Sequence, residues 1–167
     1  QPAQAQTVNV GVLNFNYGPI NSDVRFFVGP AAGEVVVFGV PNVADGTRYT
    51  GVRAINWTSA AGDDRLMFDV QQANDFDISV VTTAGYTEID LKWMVPSTAT
   101  APITPSFSLV TGAGHEKIQV QLESFGRQVD FGLRGDFGSG NTELKAELQY
   151  KRGSVDARSN VALNFGS

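Results

Sequence analysis

The chain has 167 residues, of which 42% are hydrophobic and only 17% charged, and its formal net charge is −5. That length suits one domain with a real core. The 12 Lys and Arg are scattered without a basic stripe, which argues against a nucleic-acid partner. No apolar run is long enough for a transmembrane helix. The absence of cysteine excludes disulfides, thiolate metal sites and thiol nucleophiles.

The sequence opens QPAQAQT, and Ala3-Gln4-Ala5 has the small-x-small form of a signal-peptidase site. Residues 1–6 are therefore expected to be a flexible tail left by processing of an exported bacterial protein. A single all-β domain is expected over 7–167, secreted, extracellular or at the cell surface. Residues 7–17 (TVNVGVLNFNY) alternate, with a phase slip at Gly11-Val12-Leu13 that predicts a bulge. Val24, Phe26 and Val28 share one face and Phe27 takes the other, while residues 35–38 (VVVF) are apolar on both faces. A strand dry on both faces is central or meets a partner.

In the middle, Leu66, Phe68 and Val70, then Phe76, Ile78 and Val80, then Ile89, Leu91 and Trp93 each read as one face of a strand. Residues 97–105 (STATAPITP) form a Thr/Pro-rich connector, short for a domain boundary. Further on, Ile118, Val120 and Leu122 alternate with Lys117, Gln119 and Gln121. Leu144, Ala146, Leu148 and Tyr150 alternate with Glu143, Lys145, Glu147 and Gln149, and a last long strand carries Val161, Leu163 and Phe165. Short Gly-containing turns between these runs predict an antiparallel meander with one dry and one wet face. No segment has a 3.6-residue pattern, so almost no helix is expected.

One phrase recurs. Gly62 starts GDDRLMF, Gly85 starts GYTEIDL, Gly114 starts GHEKIQV and Gly140 starts GNTELKA, with a looser copy, GEVVVF, at Gly33. Successive spacings are 29, 23, 29 and 26 residues. The charged position reads Arg65, Glu88, Lys117, Glu143, so its sign alternates. The expected architecture is an antiparallel β-sandwich or barrel-like meander of about 10–12 short strands, each repeat a hairpin. The alternative is a β-solenoid with 23–29-residue coils, in which the charged positions stack as a ladder of opposite neighbours. The rhythm over roughly residues 33–148 resembles that of the Gly-punctuated toast-rack solenoids of bacterial envelopes. That resemblance, in turn-plus-strand rhythm alone, implies the solenoid. A small outer-membrane β-barrel is a third architecture. It is disfavoured by strands shorter than the roughly 9–11 residues a crossing needs and by missing aromatic girdles.

The chemistry-bearing residues are few. His115 is the only histidine and sits beside Glu116 and Lys117 in a turn-like segment. No G-x-S-x-G elbow occurs, and Gly112-Ala113-Gly114 is not followed by the Lys-Ser or Lys-Thr of a phosphate loop. No catalysis is expected, and no cofactor apart from calcium. Calcium takes about six to eight oxygens, and Asp63, Asp64, Asn74, Asp75 and Asp77 are the residues that would offer them. A polysaccharide would need a row of exposed aromatics, for which Tyr49, Trp57, Tyr86 and Trp93 are the candidates. Trp57 and Trp93 are in phase with apolar neighbours, so core packing is expected for both. Self-association is the more physical expectation, through Val8, Val10, Val12 and Phe15 of the N-terminal strand and the apolar patch Phe27, Val36 and Phe38. The function these features suggest is a non-enzymatic structural or adhesive protein of the extracellular matrix or cell envelope. It would be a fibre subunit if its N-terminal strand inserts into a neighbour, with a carbohydrate-binding module as the alternative.

Overall fold

The structure, a computed structural model, describes residues 5–9, 11–151 and 156–166. Twelve strands follow one another among them and no helix: β1 (Ala5–Asn9), β2 (Val12–Tyr17), β3 (Ser22–Val28), β4 (Val35–Phe38), β5 (Thr47–Tyr49), β6 (Ala54–Ala61), β7 (Asp64–Gln71), β8 (Asp77–Val95), β9 (Ser106–Ser124), β10 (Gln128–Phe137), β11 (Gly140–Tyr150) and β12 (Asp156–Phe165).

The strands form two facing layers joined by a recurring bend. In the first layer β2, β6, the first half of β8, the first half of β9, β10 and β12 lie side by side, all parallel. In the second layer β3, β7, the second halves of β8 and β9, and β11 do the same. The residue offset between neighbours agrees in the two layers. Ala54 faces Asp77 and Asp64 faces Thr87, both offset by 23; Asp77 faces Ser106 and Thr87 faces Glu116, both offset by 29. Ser106 faces Gly132 and Gly114 faces Gly140, both offset by 26. Each repeat is therefore one coil, made of a strand running into the bend and a strand running out of it.

The all-β class and the two-layer, sandwich-like packing are as the sequence leads one to expect. The pairing is not. The C-terminal third is no antiparallel meander: β10 and β11 each lie parallel to β9, and β12 lies parallel to β10. Period-2 alternation is the same for parallel and antiparallel strands. A short Gly-containing turn serves equally to reverse a strand within one sheet or to carry it over to the facing layer. The coil lengths are those of the solenoid alternative. Antiparallel pairs among the described residues are confined to the N-terminal end, where β1 pairs β2 and the β3–β4–β5 meander extends the second layer. The sheet is not closed into a barrel. The closed-barrel architecture, the third expected from the sequence, is therefore not the one observed.

The core lies between the layers. Phe26 of the second layer packs on Phe15 and Trp57 of the first, with ring centroids 5.5 and 6.2 Å away. Farther along the stack, Phe68 meets Phe107 at 6.4 Å and Trp93 meets Phe131 at 5.5 Å. The Thr/Pro-rich connector joins this core, with Ala99 and Ile103 buried and Ile103 bridging to Val129.

The bend explains the recurring glycine. Gly85, Gly114 and Gly140 stand opposite one another in adjacent coils. A Cβ on Gly85 would lie 2.0 Å from the Gly62 carbonyl oxygen, one on Gly114 2.1 Å from that of Gly85, and one on Gly140 1.9 Å from that of Gly114. The coils touch backbone to backbone there, and no side chain fits. Gly33 is not in this column: it lies between β3 and β4 against Val52, and the chain segment against Gly62 is Ile20. The slip at Gly11 is no bulge but part of the turn between β1 and β2, with φ +80°.

Candidate functional site

The outward faces of the two layers differ. On the second layer Asp23, Arg65, Glu88, Lys117 and Glu143 stand opposite one another in successive coils, so the charge alternates across the stack. Arg65 Nη2 lies 3.7 Å from Glu88 Oε1. Such exposed contacts are worth about 0.2–1 kcal/mol each, and the ladder serves register more than stability. On the first layer the matching outward columns are uncharged from β2 to β9 and become charged at β10, with Arg134 and Asp136. Asn14, Asn56, Ser79 and Ser108 form one column, and Asn16, Thr58, Val81 and Val110 the next. Asn56 Nδ2 donates to Asn14 Oδ1 at 2.9 Å.

Just inside the bend the interior is polar. Ser22, Asp64, Thr87, Glu116 and Thr142 form a buried or half-buried column. Asp64 is 1% exposed, and both its oxygens accept hydroxyl hydrogen bonds, one from Ser22 Oγ at 2.6 Å and one from Ser59 Oγ. Thr142 Oγ1 donates to Glu116 Oε2 at 2.9 Å, and Thr87 Oγ1 to Thr82 Oγ1 at 3.2 Å. These groups satisfy one another, which is what buried polar side chains require. Sequence reading assigned Asp64 to a cation; its phase with Leu66, Phe68 and Val70 was the signal that it points inward.

The structure does not bring the calcium candidates together. Asp63 and Asp64 sit at the bend. Asn74, Asp75 and Asp77 sit at the other end of the coil, a strand length of roughly 25 Å away. Asp75 Oδ1 accepts from the Thr104 amide at 2.7 Å, and Asp77 Oδ1 from Ser106 Oγ at 2.5 Å. Among the described residues no group of three or more His, Cys, Asp or Glu is placed to hold a metal ion.

Nor do the aromatic candidates form a row. Trp57 and Trp93 are buried in the core. Tyr86 is half-buried at the bend and stacks on His115 at 5.5 Å, while Tyr49 lies on β5 at the N-terminal end. Tyr17, beneath that end, has its phenol pushed up to about 12 by burial, with Tyr49 adding to the shift.

The self-association candidates divide. Val12 and Phe15 lie on β2, which is hydrogen-bonded to β1 on one edge and β6 on the other, and Phe15 is buried against Phe26. An N-terminal strand held on both edges in its own chain has no free edge to donate, so the expected strand insertion is corrected for β2. Val8 lies on β1, paired with Leu13; Val10 lies outside the described residues. Phe27, Val36 and Phe38 do come together, with Phe27 opposite Val36 and the Phe27 and Phe38 rings edge to face at 5.7 Å. Phe27 and Phe38 line a cleft of ≈ 430 Å³ with Asp23, Arg25 and Asp45.

The more exposed apolar surface is at the other end, which sequence reading did not single out. Val161, Leu163 and Phe165 of β12 face the inside of the sandwich, opposite Leu133, Gly135 and Phe137 of β10. Leu133 and Phe137 are 2% exposed, whereas Val161, Leu163 and Phe165 are 48, 38 and 59% exposed. Among the described residues β12 pairs with β10 alone and β11 with β9 alone, so each has a free edge. Across from β12, the Tyr150 hydroxyl donates to the Arg158 carbonyl at 2.8 Å. Leu144 and Leu148 of β11 are only partly buried. The N-terminal end is closed by contrast: Leu13, Val24, Val35, Val37 and Val40 there are buried. No family model, no curated protein and no solved structure matches the chain.

Proposed function

We propose that this protein is a non-catalytic structural or adhesive module that self-associates through the open C-terminal end of its stack. One observation carries the reading: three apolar side chains extend inward-facing columns whose members in the preceding coil, Leu133, Gly135 and Phe137, are buried, yet are themselves 38–59% exposed. Full burial of such a side chain is worth about 1.5–3 kcal/mol, so covering these three favours association. Apolar surface gathered at a regular, unpaired strand edge is the signature of a docking edge. The scaffold itself supports a structural role. Its long strands are fixed by backbone contact at the bend, by a charge ladder outside and by an aromatic core inside. Secretion to the cell surface or matrix is part of the same proposal, and it rests on the Ala3-Gln4-Ala5 segment, of which Ala3 and Gln4 lie outside the described residues.

The test is light scattering and negative-stain microscopy of the chain across a concentration series, with and without calcium. A concentration-dependent oligomer, lost in Leu163→Glu, is the expected result. A monomer at every concentration overturns the proposal. Because the N-terminal end is closed, discrete oligomers rather than long fibres are expected.

A further inference from the structure

We infer that two copies of this chain pair reciprocally, β12 of each lying antiparallel against β11 of the other, about a two-fold axis that runs along the strands between the layers. The inference rests on the self-association proposed above and names the surfaces that make it.

The shape of the open end leads to this arrangement. β10 and β11 are the two strands of one coil, both paired to β9, and β12 begins the next coil on top of β10. The first layer thus stands one strand beyond the second, and the vacant position beside β11 lies across from Val161, Leu163 and Phe165. β12 runs into the bend and β11 runs out of it. A two-fold rotation about an axis along the strands preserves each strand's direction and exchanges the layers. It carries β12 of the second copy into the vacant position, antiparallel to β11, and the same operation fills the second copy's vacancy with β12 of the first. Such an isologous contact closes on itself.

The side chains agree with this occupant. When Phe165 is set opposite Thr142 of the second copy, both face inward. Leu163 then meets Leu144 and Val161 meets Ala146, large against small or apolar against apolar. On the outer face Ala162 meets Lys145, Asn160 meets Glu147, and Arg158 lies diagonally from Glu147. No like charges oppose each other; Arg158 also lies diagonally from Lys151, just past β11, whose charge is met by Glu123 of its own chain at 3.3 Å. Pairing β11 with itself about Lys145 would instead set Glu143 against Glu147 and Lys145 against Lys145.

The chain has no cysteine, so introduced thiols report the pairing directly. Ala162 and Lys145 are exposed on opposite outer faces of one molecule and have no route to an intramolecular bond. Under mild oxidation the double variant Ala162→Cys/Lys145→Cys is expected to give a covalent dimer. Each single variant is expected to stay a single chain on a non-reducing gel. Self-cross-linking of Ala162→Cys alone or Lys145→Cys alone, as complete as in the double variant, would mean that like strands meet, and would overturn reciprocal pairing while leaving self-association intact. A dimer by light scattering with no cross-link in the double variant would do the same. A monomer by light scattering at the highest soluble concentration, with no cross-link, overturns both.

Discussion

Replacing Gly114 by alanine isolates the backbone contact that sets the coil register. The added Cβ would sit 2.1 Å from the Gly85 carbonyl oxygen and 3.1 Å from its nitrogen. Those atoms belong to a central strand held on both sides, so they cannot step aside without parting two coils. Gly114, unlike Gly85, has no positive φ, and the cost is steric rather than conformational. Forced overpacking costs about 1–3 kcal/mol, and a clash against backbone belongs at the upper end, about 3 kcal/mol. Gly132→Ala is the matched control: it lies in β10, its nearest neighbour would be 3.6 Å away, and its φ is also ordinary. There the loss of chain freedom in the unfolded state makes the change neutral or stabilising by up to about 1 kcal/mol. Urea unfolding followed by the fluorescence of the buried Trp57 and Trp93 reads both. Equal midpoints for the two variants would refute the stacked-glycine bend.

Other expectations follow from the same geometry. Asp64→Ala leaves the Ser22 and Ser59 hydroxyls buried without their acceptor and should cost about 2–3 kcal/mol in urea unfolding, whereas Asp23→Ala, in an exposed position on the neighbouring strand, should cost under about 0.5 kcal/mol. Glu88→Lys puts a cation between Arg65 and Lys117 and should destabilise by about 1 kcal/mol, a penalty that shrinks as salt is added; Glu88→Gln should cost less, with little salt dependence. The phenol of Tyr17 titrates at about 12 when folded against 10.0 unperturbed. Its neutral form is favoured by folding, so that stability is complete below pH 10 and is lost as pH rises towards 12. Burial also raises the phenols of Tyr49 and Tyr150, so spectrophotometric titration should find Tyr17 the last to ionise, and Tyr17→Phe should remove that last step alone.

Much of this was legible in the residues, and the rest was hidden for definite reasons. Alternation gives strands and their inward faces, and Trp57, Trp93 and the inward Phe residues are buried where their phase puts them. The repeated Gly-x-x-charge phrase held the coil lengths, and its alternating sign fitted parallel stacking better than hairpins, because only parallel strands place Arg65, Glu88, Lys117 and Glu143 side by side. What the pattern lacks is direction: a short glycine turn does not say whether the chain stays in its sheet or crosses to the facing one. The calcium candidates failed for a related reason. Asp64 and Asp75 are near in sequence but lie at opposite ends of a coil. The open end was invisible because Val161, Leu163 and Phe165 alternate like any interior strand. Their exposure depends on what the topology places across from them.

Hydrogen exchange measured at low and high protein concentration tests the central claim, an open C-terminal end that a second copy covers. Amides of β11 and β12 should exchange more slowly at high concentration, while those of β1 and β5, on the closed end, should not change. Exchange independent of concentration throughout, or protection gained at β1 and β5 instead, would contradict it.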